Sequence, residues 1–200
     1  MKILLVGAAG TLGSAVAKAL DARGHELVTV GRISGDLRLD VSDPEAVGRL
    51  YERVTGLDAV AVAGGDAVFK PLAELTADDI AATLRTKALS QLELVRQGAR
   101  HLVPNGSFTL VTGVLTEDPV VAGAAASAAN GAVEAFVRAA AIELAPLRVN
   151  AVSPTMLTES AEAYGAVFPG VEPVPAASAA AAYVRSIEGR HTGRVYKVGH

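Results

Sequence analysis

The stretch KILLVGAAGTLGSAVAKAL, residues 2–20, constrains this chain more than any other. Five apolar residues suited to a buried strand run straight into glycines at 7, 10 and 13. Beyond them Leu12, Ala15, Val16, Ala19 and Leu20 recur at three- and four-residue spacing, the stripe of an amphipathic helix. Strand, tight turn and helix in this order open a βαβ unit, which commits the chain to a parallel sheet with helices laid on its faces. The turn also has a chemical consequence. Gly7 permits the sharp change of direction, Gly10 lets a pyrophosphate approach the backbone, and Gly13 lets helix and strand pack closely, with the first helical amides aimed at the phosphates. Gly7, Ala9, Gly10, Thr11, Leu12 and Gly13 are therefore candidate cofactor-binding residues.

The same alternation continues to the end of the chain. Strands are expected at 2–6, 26–30, 36–39, 58–63, 107–112, 148–152 and 194–198, and helices at 14–23, 44–54, 77–102, 122–144 and 176–187. Asp43 followed by Pro44 is a helix start, with proline at the first helical position. The alanine-rich run at 122–136 reads as a packed helix, because alanine has the highest helix propensity. Residues 153–175 are proline-rich and lack a sustained period, so they are expected to form a long substrate loop at the carboxyl edge of the sheet. No linker divides the chain, and its 200 residues are expected to form a single α/β domain, 1–200.

Composition removes several function classes. The net charge of −3 is spread along the chain, with no basic stripe to neutralise a nucleic-acid backbone, so no nucleic-acid partner is expected. There is no cysteine to act as nucleophile or metal ligand, and the four histidines have no ligand spacing, so no metal is expected. The opening apolar run breaks at Gly7, unlike a signal peptide. With no run of the roughly 18 apolar residues that a membrane span requires, a cytoplasmic protein without a membrane partner is expected.

The second strand bears on the identity of the nucleotide. A carboxylate at its end would bind a ribose hydroxyl, but this chain continues with Gly31, Arg32, Ile33 and Ser34. A guanidinium offers a planar fork of donors to a ribose phosphate and little to a hydroxyl. NADP(H) is therefore favoured over NAD(H), with Gly31, Arg32 and Ser34 as candidate contacts, although Asp36 close by leaves NAD open.

Over nearly its whole length the chain resembles the short-chain dehydrogenase/reductase family. GAAGTLG is a variant of that family's glycine turn, and Asp40-Val41 is similar to the pair whose acid contacts adenine. AVAGG at 61–65, which includes Ala63, Gly64 and Gly65, stands where the family has NNAG. RVNAVSPTMLT at 148–158, with Pro154, Thr155 and Leu157, resembles RVNAVSPGxxxT, and TGRVYKVGH at 192–200 resembles the last strand. The resemblance implies a Rossmann-type, doubly wound, seven-stranded parallel sheet. It further implies an NAD(P) cofactor across the strand ends, hydride transfer to or from a small carbonyl or alcohol substrate, and a homodimer or homotetramer.

The family's usual chemistry uses a serine, a tyrosine, a lysine and an asparagine, and the resemblance breaks at all four. Ala126 stands at the tyrosine position, Asn130 at the lysine, Gly113 at the serine and Lys87 at the asparagine. Lysine and asparagine thus look exchanged between two helices. Lys87, with Ile80, Leu84, Ala88 and Leu92, is placed on one inward face, and Asn130, with Ala126, Val133 and Val137, on another. Lys87 is expected either to reach the pocket, with Asn130 as its hydrogen-bond partner, or to extend its ammonium to solvent. Thr112, Thr116, Ser127 and Tyr164 are the other candidate proton donors. Three functions remain open: an NADP(H)-dependent oxidoreductase with an altered proton-transfer group, a catalytically silent NADP(H) sensor or scaffold, and a non-redox enzyme on the same fold.

Overall fold

The computed structural model describes residues 1–200, and its seven strands are all parallel. They are β1 (Lys2–Val6), β2 (Glu26–Gly31), β3 (Leu37–Arg38), β4 (Leu57–Val62), β5 (Leu102–Val111), β6 (Arg148–Pro154) and β7 (Val195–Val198). Their spatial order is β3-β2-β1-β4-β5-β6-β7. The order reverses between β1 and β4, so the crevice for a ligand opens at the carboxyl ends of these two strands. β1 pairs on both sides, and Ile3, Leu4 and Leu5 are fully buried, as an apolar run without alternation requires.

Helices cover both faces. α1 (Thr11–Asp21) packs with α7 (Ala176–Glu188) on one side; α2 (Pro44–Arg53), α4 (Ser90–Gly98) and α5 (Ala124–Glu143) pack in sequence on the other. The Asp43 side chain accepts from the Glu45 amide and caps α2. A reciprocal box between Thr76 and Asp79 starts α3 (Ala77–Thr83). No helix is long and apolar enough to cross a membrane.

Two expected elements come out differently. The helix expected over 77–102 is α3, then a π-helical segment, Leu84–Leu89, then α4, which ends at Gly98. The π turn inserts one residue and shifts the inward stripe to Thr83, Ala88, Gln91, Leu94, Val95 and Gly98, leaving Ile80 exposed. β5 consequently begins at Leu102, through an irregular stretch where its register against β4 shifts. The expected loop at 153–175 is tied down rather than open. It contains α6 (Ala161–Tyr164) between single turns, a Leu157–Val174 bridge, and a Glu159 carboxylate that accepts from the Ala176 amide at the start of α7.

Candidate active site

The glycine turn forms one end of a groove. Gly7 has φ +85°, and a Cβ there would press on the backbone of Ala63 and Gly64 at 3.1–3.2 Å. A Cβ on Gly13 would collide with the Gly7 carbonyl, whereas one on Gly10 would find its nearest protein atom at 3.6 Å. Gly7 and Gly13 are thus demanded by the fold, while Gly10 keeps its surface bare toward the groove. No side chain caps α1, and the amides of Thr11, Leu12 and Gly13 have no acceptor within the chain. The Leu12 side chain is buried in the core, so only its amide is available to a ligand. A bare glycine turn with unspent amides at a helix N-terminus fits a dinucleotide pyrophosphate.

From the turn the groove passes Gly31, Arg32, Asp40, Val41, Ala63, Gly64, Gly65 and Asp66. A second recess beside it is lined by Ala9, Arg32 and Ser34. Asp40 accepts from the Ser42 amide and hydroxyl, which lowers its pKa and keeps it charged. Asp36 accepts from the Thr29 amide and hydroxyl, which ties the loop after β2 back onto that strand. One Arg32 nitrogen donates to Asp66 at 2.8 Å, a pairing that the sequence did not suggest.

Gly65 and Asp66 also line a cavity of about 330 Å³ at the carboxyl ends of β5 and β6. Lys87, Thr112, Gly113, Ala126, Asn130, Pro154, Thr155, Leu157 and Tyr164 meet there, so the four positions that depart from the family pattern share one wall system. Lys87 packs its stem where Gly65 has no side chain, 3.3 Å from a would-be Cβ. Burial of its amino group pushes the pKa down to about 8, against a smaller opposing pull from Asp66. The half-buried lysine therefore lines the cavity.

The expected Lys87–Asn130 hydrogen bond is absent. Asn130, 2% exposed, donates to the Gly113 carbonyl at 3.3 Å, and its Oδ1 has no partner. Ser127 is also corrected: its hydroxyl donates to the Leu115 carbonyl at 2.8 Å and the residue does not line the cavity. Thr116 likewise stands outside, with its hydroxyl on Glu134. The Thr112 and Thr155 hydroxyls, each on a residue 4% exposed, have no partner.

Three participants escaped the sequence reading. Asp66 sits between the two cavities, its carbonyl held by the Thr86 hydroxyl. Gln91, fully buried, donates to the Lys87 and Val111 carbonyls and accepts from the Val111 amide, which ties the π turn to the end of β5 just before Thr112. Phe168 joins Tyr164 and Phe69 as an aromatic rim. A glutamine among apolar residues at a helix spacing was the one available signal for Gln91.

Comparison with known proteins agrees with this architecture. Residues 7–188 match the family model described as Enoyl-(Acyl carrier protein) reductase, one of the short-chain dehydrogenase models. The crystal structure of the protein lin1944 from Listeria innocua superposes with a TM-score of 0.97 at 47% identity, covering 99% of each chain. A small-chain dehydrogenase in complex with NADPH superposes with a TM-score of 0.89 at 28% identity, covering 99% of this chain and 96% of that one. Short-chain dehydrogenase/reductase ucsE of Acremonium sp is 32% identical over 101 residues, 49% of this chain and 38% of that protein's length. With the glycine turn, the strand order and the match over residues 7–188 all in agreement, this chain belongs to the short-chain dehydrogenase/reductase family.

Proposed function

We propose that the chain is an NADP(H)-dependent oxidoreductase that moves hydride between the cofactor and a small carbonyl or alcohol substrate through Lys87. The observation that carries this reading is that Gly65 and Asp66 line both the nucleotide groove and the cavity. A dinucleotide anchored at α1 would therefore reach the cavity with its far end. The NADPH held by the structural relative supports the choice of cofactor.

When bound, the reduced nicotinamide supplies hydride. The chain's own residues do the rest. The Thr11, Leu12 and Gly13 amides hold the pyrophosphate, and Asp40 takes the adenine side. Arg32 spends one nitrogen on Asp66 and keeps the remainder of its fork for the ribose phosphate, which favours NADP(H) over NAD(H). At the reacting end Lys87 holds a proton at Nζ, delivers it to a carbonyl oxygen as hydride arrives at the carbon, and recovers it from water. A lysine shifted toward neutrality can both give and regain a proton under ordinary conditions. Tyr164, 50% exposed, covers the mouth.

The first test is an NADPH fluorescence titration followed by addition of pooled aldehydes and ketones. Binding followed by consumption supports the reading. Binding without consumption selects the sensor, scaffold or non-redox alternatives, which are favoured by Ala126 standing where the family places its phenol. Replacing Arg32 by Ala is expected to weaken NADPH by about tenfold or more, roughly 1.4 kcal/mol, and to leave NADH nearly unchanged. Equal effects on both cofactors would remove Arg32 from phosphate recognition.

Self-association as a homodimer or homotetramer belongs to the same proposal. The outer face of α5 exposes Ala128, Ala132, Ala135, Ala139 and Ile142, a small-residue surface that allows close helix packing. Light scattering of wild type and of Ala135→Glu tests it. A cytoplasmic setting is likewise proposed, on the absence of cysteine.

A further inference from the structure

We propose, resting on the oxidoreductase reading above, that the cavity beside Lys87 takes α-keto carboxylates with an aromatic or branched apolar body. The charge comes first. The Lys87 ammonium donates no hydrogen bond and has no ion-pair partner within the chain, yet its wall is otherwise apolar or neutral. The other ionisable groups lining the cavity are Asp66 and Tyr164, and the Asp66 carboxylate is drawn toward the nucleotide groove by Arg32 at 2.8 Å. A partly desolvated cation that has only a distant pull from Asp66 and no ion pair is costly to keep, and an anionic ligand relieves that cost.

The hydrogen-bond inventory narrows the anion. An ammonium has three donors on one nitrogen. The carboxylate and ketone oxygens of an α-keto acid lie side by side, so one Lys87 can orient the first and protonate the second. The remaining wall, with Phe69, Leu115, Met156, Tyr164 and Phe168, suits a ring or a branched chain.

The step balances without a further reactant beyond the reduced nicotinamide dinucleotide. Hydride forms the new C–H bond at the ketone carbon and the C=O π pair moves onto oxygen. That oxygen takes the Lys87 Nζ proton. The products are the α-hydroxy acid and the oxidised dinucleotide, and the amine regains its proton from water.

The test is calorimetric titration of the whole protein, without cofactor, with phenylpyruvate and with its uncharged methyl ester. The acid is expected to bind about tenfold tighter or more, as a hydrogen bond to a charged group implies. That preference should shrink as pH rises through about 8 and the ammonium discharges. Lys87→Met should bind acid and ester alike with its thermal unfolding intact, and Lys87→Arg should keep the preference. An ester bound as tightly as the acid by wild type, or a preference that survives in Lys87→Met, overturns the proposal. NADPH consumption measured beside it separates the two readings. Acid preference without consumption refutes only the redox reading, whereas consumption confined to neutral ketones refutes only this substrate class.

Discussion

At the amino rim of the sheet, the Glu188 carboxylate at the end of α7 receives Arg23 and His25, and the Arg148 guanidinium closes on the Ser186 and Ile187 carbonyls. At the carboxyl rim, Thr112, Asn130 and Thr155 keep buried polar atoms unpaired, and Lys87 keeps an unpaired charge. Three of the four such orphaned side-chain atoms in the chain belong to residues of the one cavity. The amino rim pairs its charged groups and leaves one buried hydroxyl, Ser107 Oγ, without a partner. The carboxyl rim gathers three such atoms and an unpaired lysine around one cavity.

The comparison breaks most severely at the glycine turn, where fold and site coincide. Gly13→Val would drive a side chain into the Gly7 carbonyl, in a helix already seated on β1. The expected cost is about 3 kcal/mol or more, at the upper end for overpacking, with NADPH binding lost. Chemical denaturation and fluorescence titration read the two effects. A variant as stable as wild type that still binds NADPH would mean that the turn is looser than the structure has it.

How much was legible in the sequence follows the same division. The turn, the succession of strands and helices and the Asp43 cap depend on residues close together in the chain, and local spacing reported them correctly. Lys87 reached its cavity as one of the two expected outcomes. Its expected partner, Asn130, donates instead to the Gly113 carbonyl, a backbone group that side-chain spacing does not report. Ser127 was misplaced for a related reason, since a neighbouring backbone carbonyl, invisible to side-chain pattern, claims its hydroxyl. The Arg32–Asp66 contact joins residues from two separate strand ends, and Gln91 works through the backbone of β5. Neither leaves a periodic trace.

Lys87 sharpens the contrast, because a site residue there should cost stability. Lys87→Met is expected to lower turnover by roughly 10²- to 10⁴-fold as a lost general acid, while raising stability near neutral pH by on the order of 2 kcal/mol. The sign follows from the depressed folded pKa of about 8 against 10.5. Below 8 both states are protonated and the folded one bears the buried charge. Between 8 and 10.5 the unfolded chain still holds a proton that the folded chain has shed, so wild-type stability should climb across that window. Reduction rate should fall through the same lower value. A variant less stable than wild type at neutral pH would place Lys87 among the structural residues instead.

The smallest effect is expected at the amino rim. Hydrogen bonds from Arg23, and after burial's opposing pull those from His25, hold Glu188 down to about 2, against an ordinary 4.5. A depressed carboxylate contributes stability above its ordinary pKa and loses it as pH falls through the folded value, so the relevant window is 4.5 down to 2. The Arg23 side chain is 49% exposed and Glu188 27%, and solvent screening holds the pair to about 1 kcal/mol or less at neutral pH. Glu188→Gln should therefore lower the unfolding midpoint slightly at neutral pH, converge with wild type near pH 2, and leave NADPH affinity unchanged. Urea titrations across that window test it. A change in NADPH affinity would show that the two rims are coupled through α1, whose far end carries the phosphate-facing amides, and the separation between the amino rim and the carboxyl rim would then be one of position and not of energy.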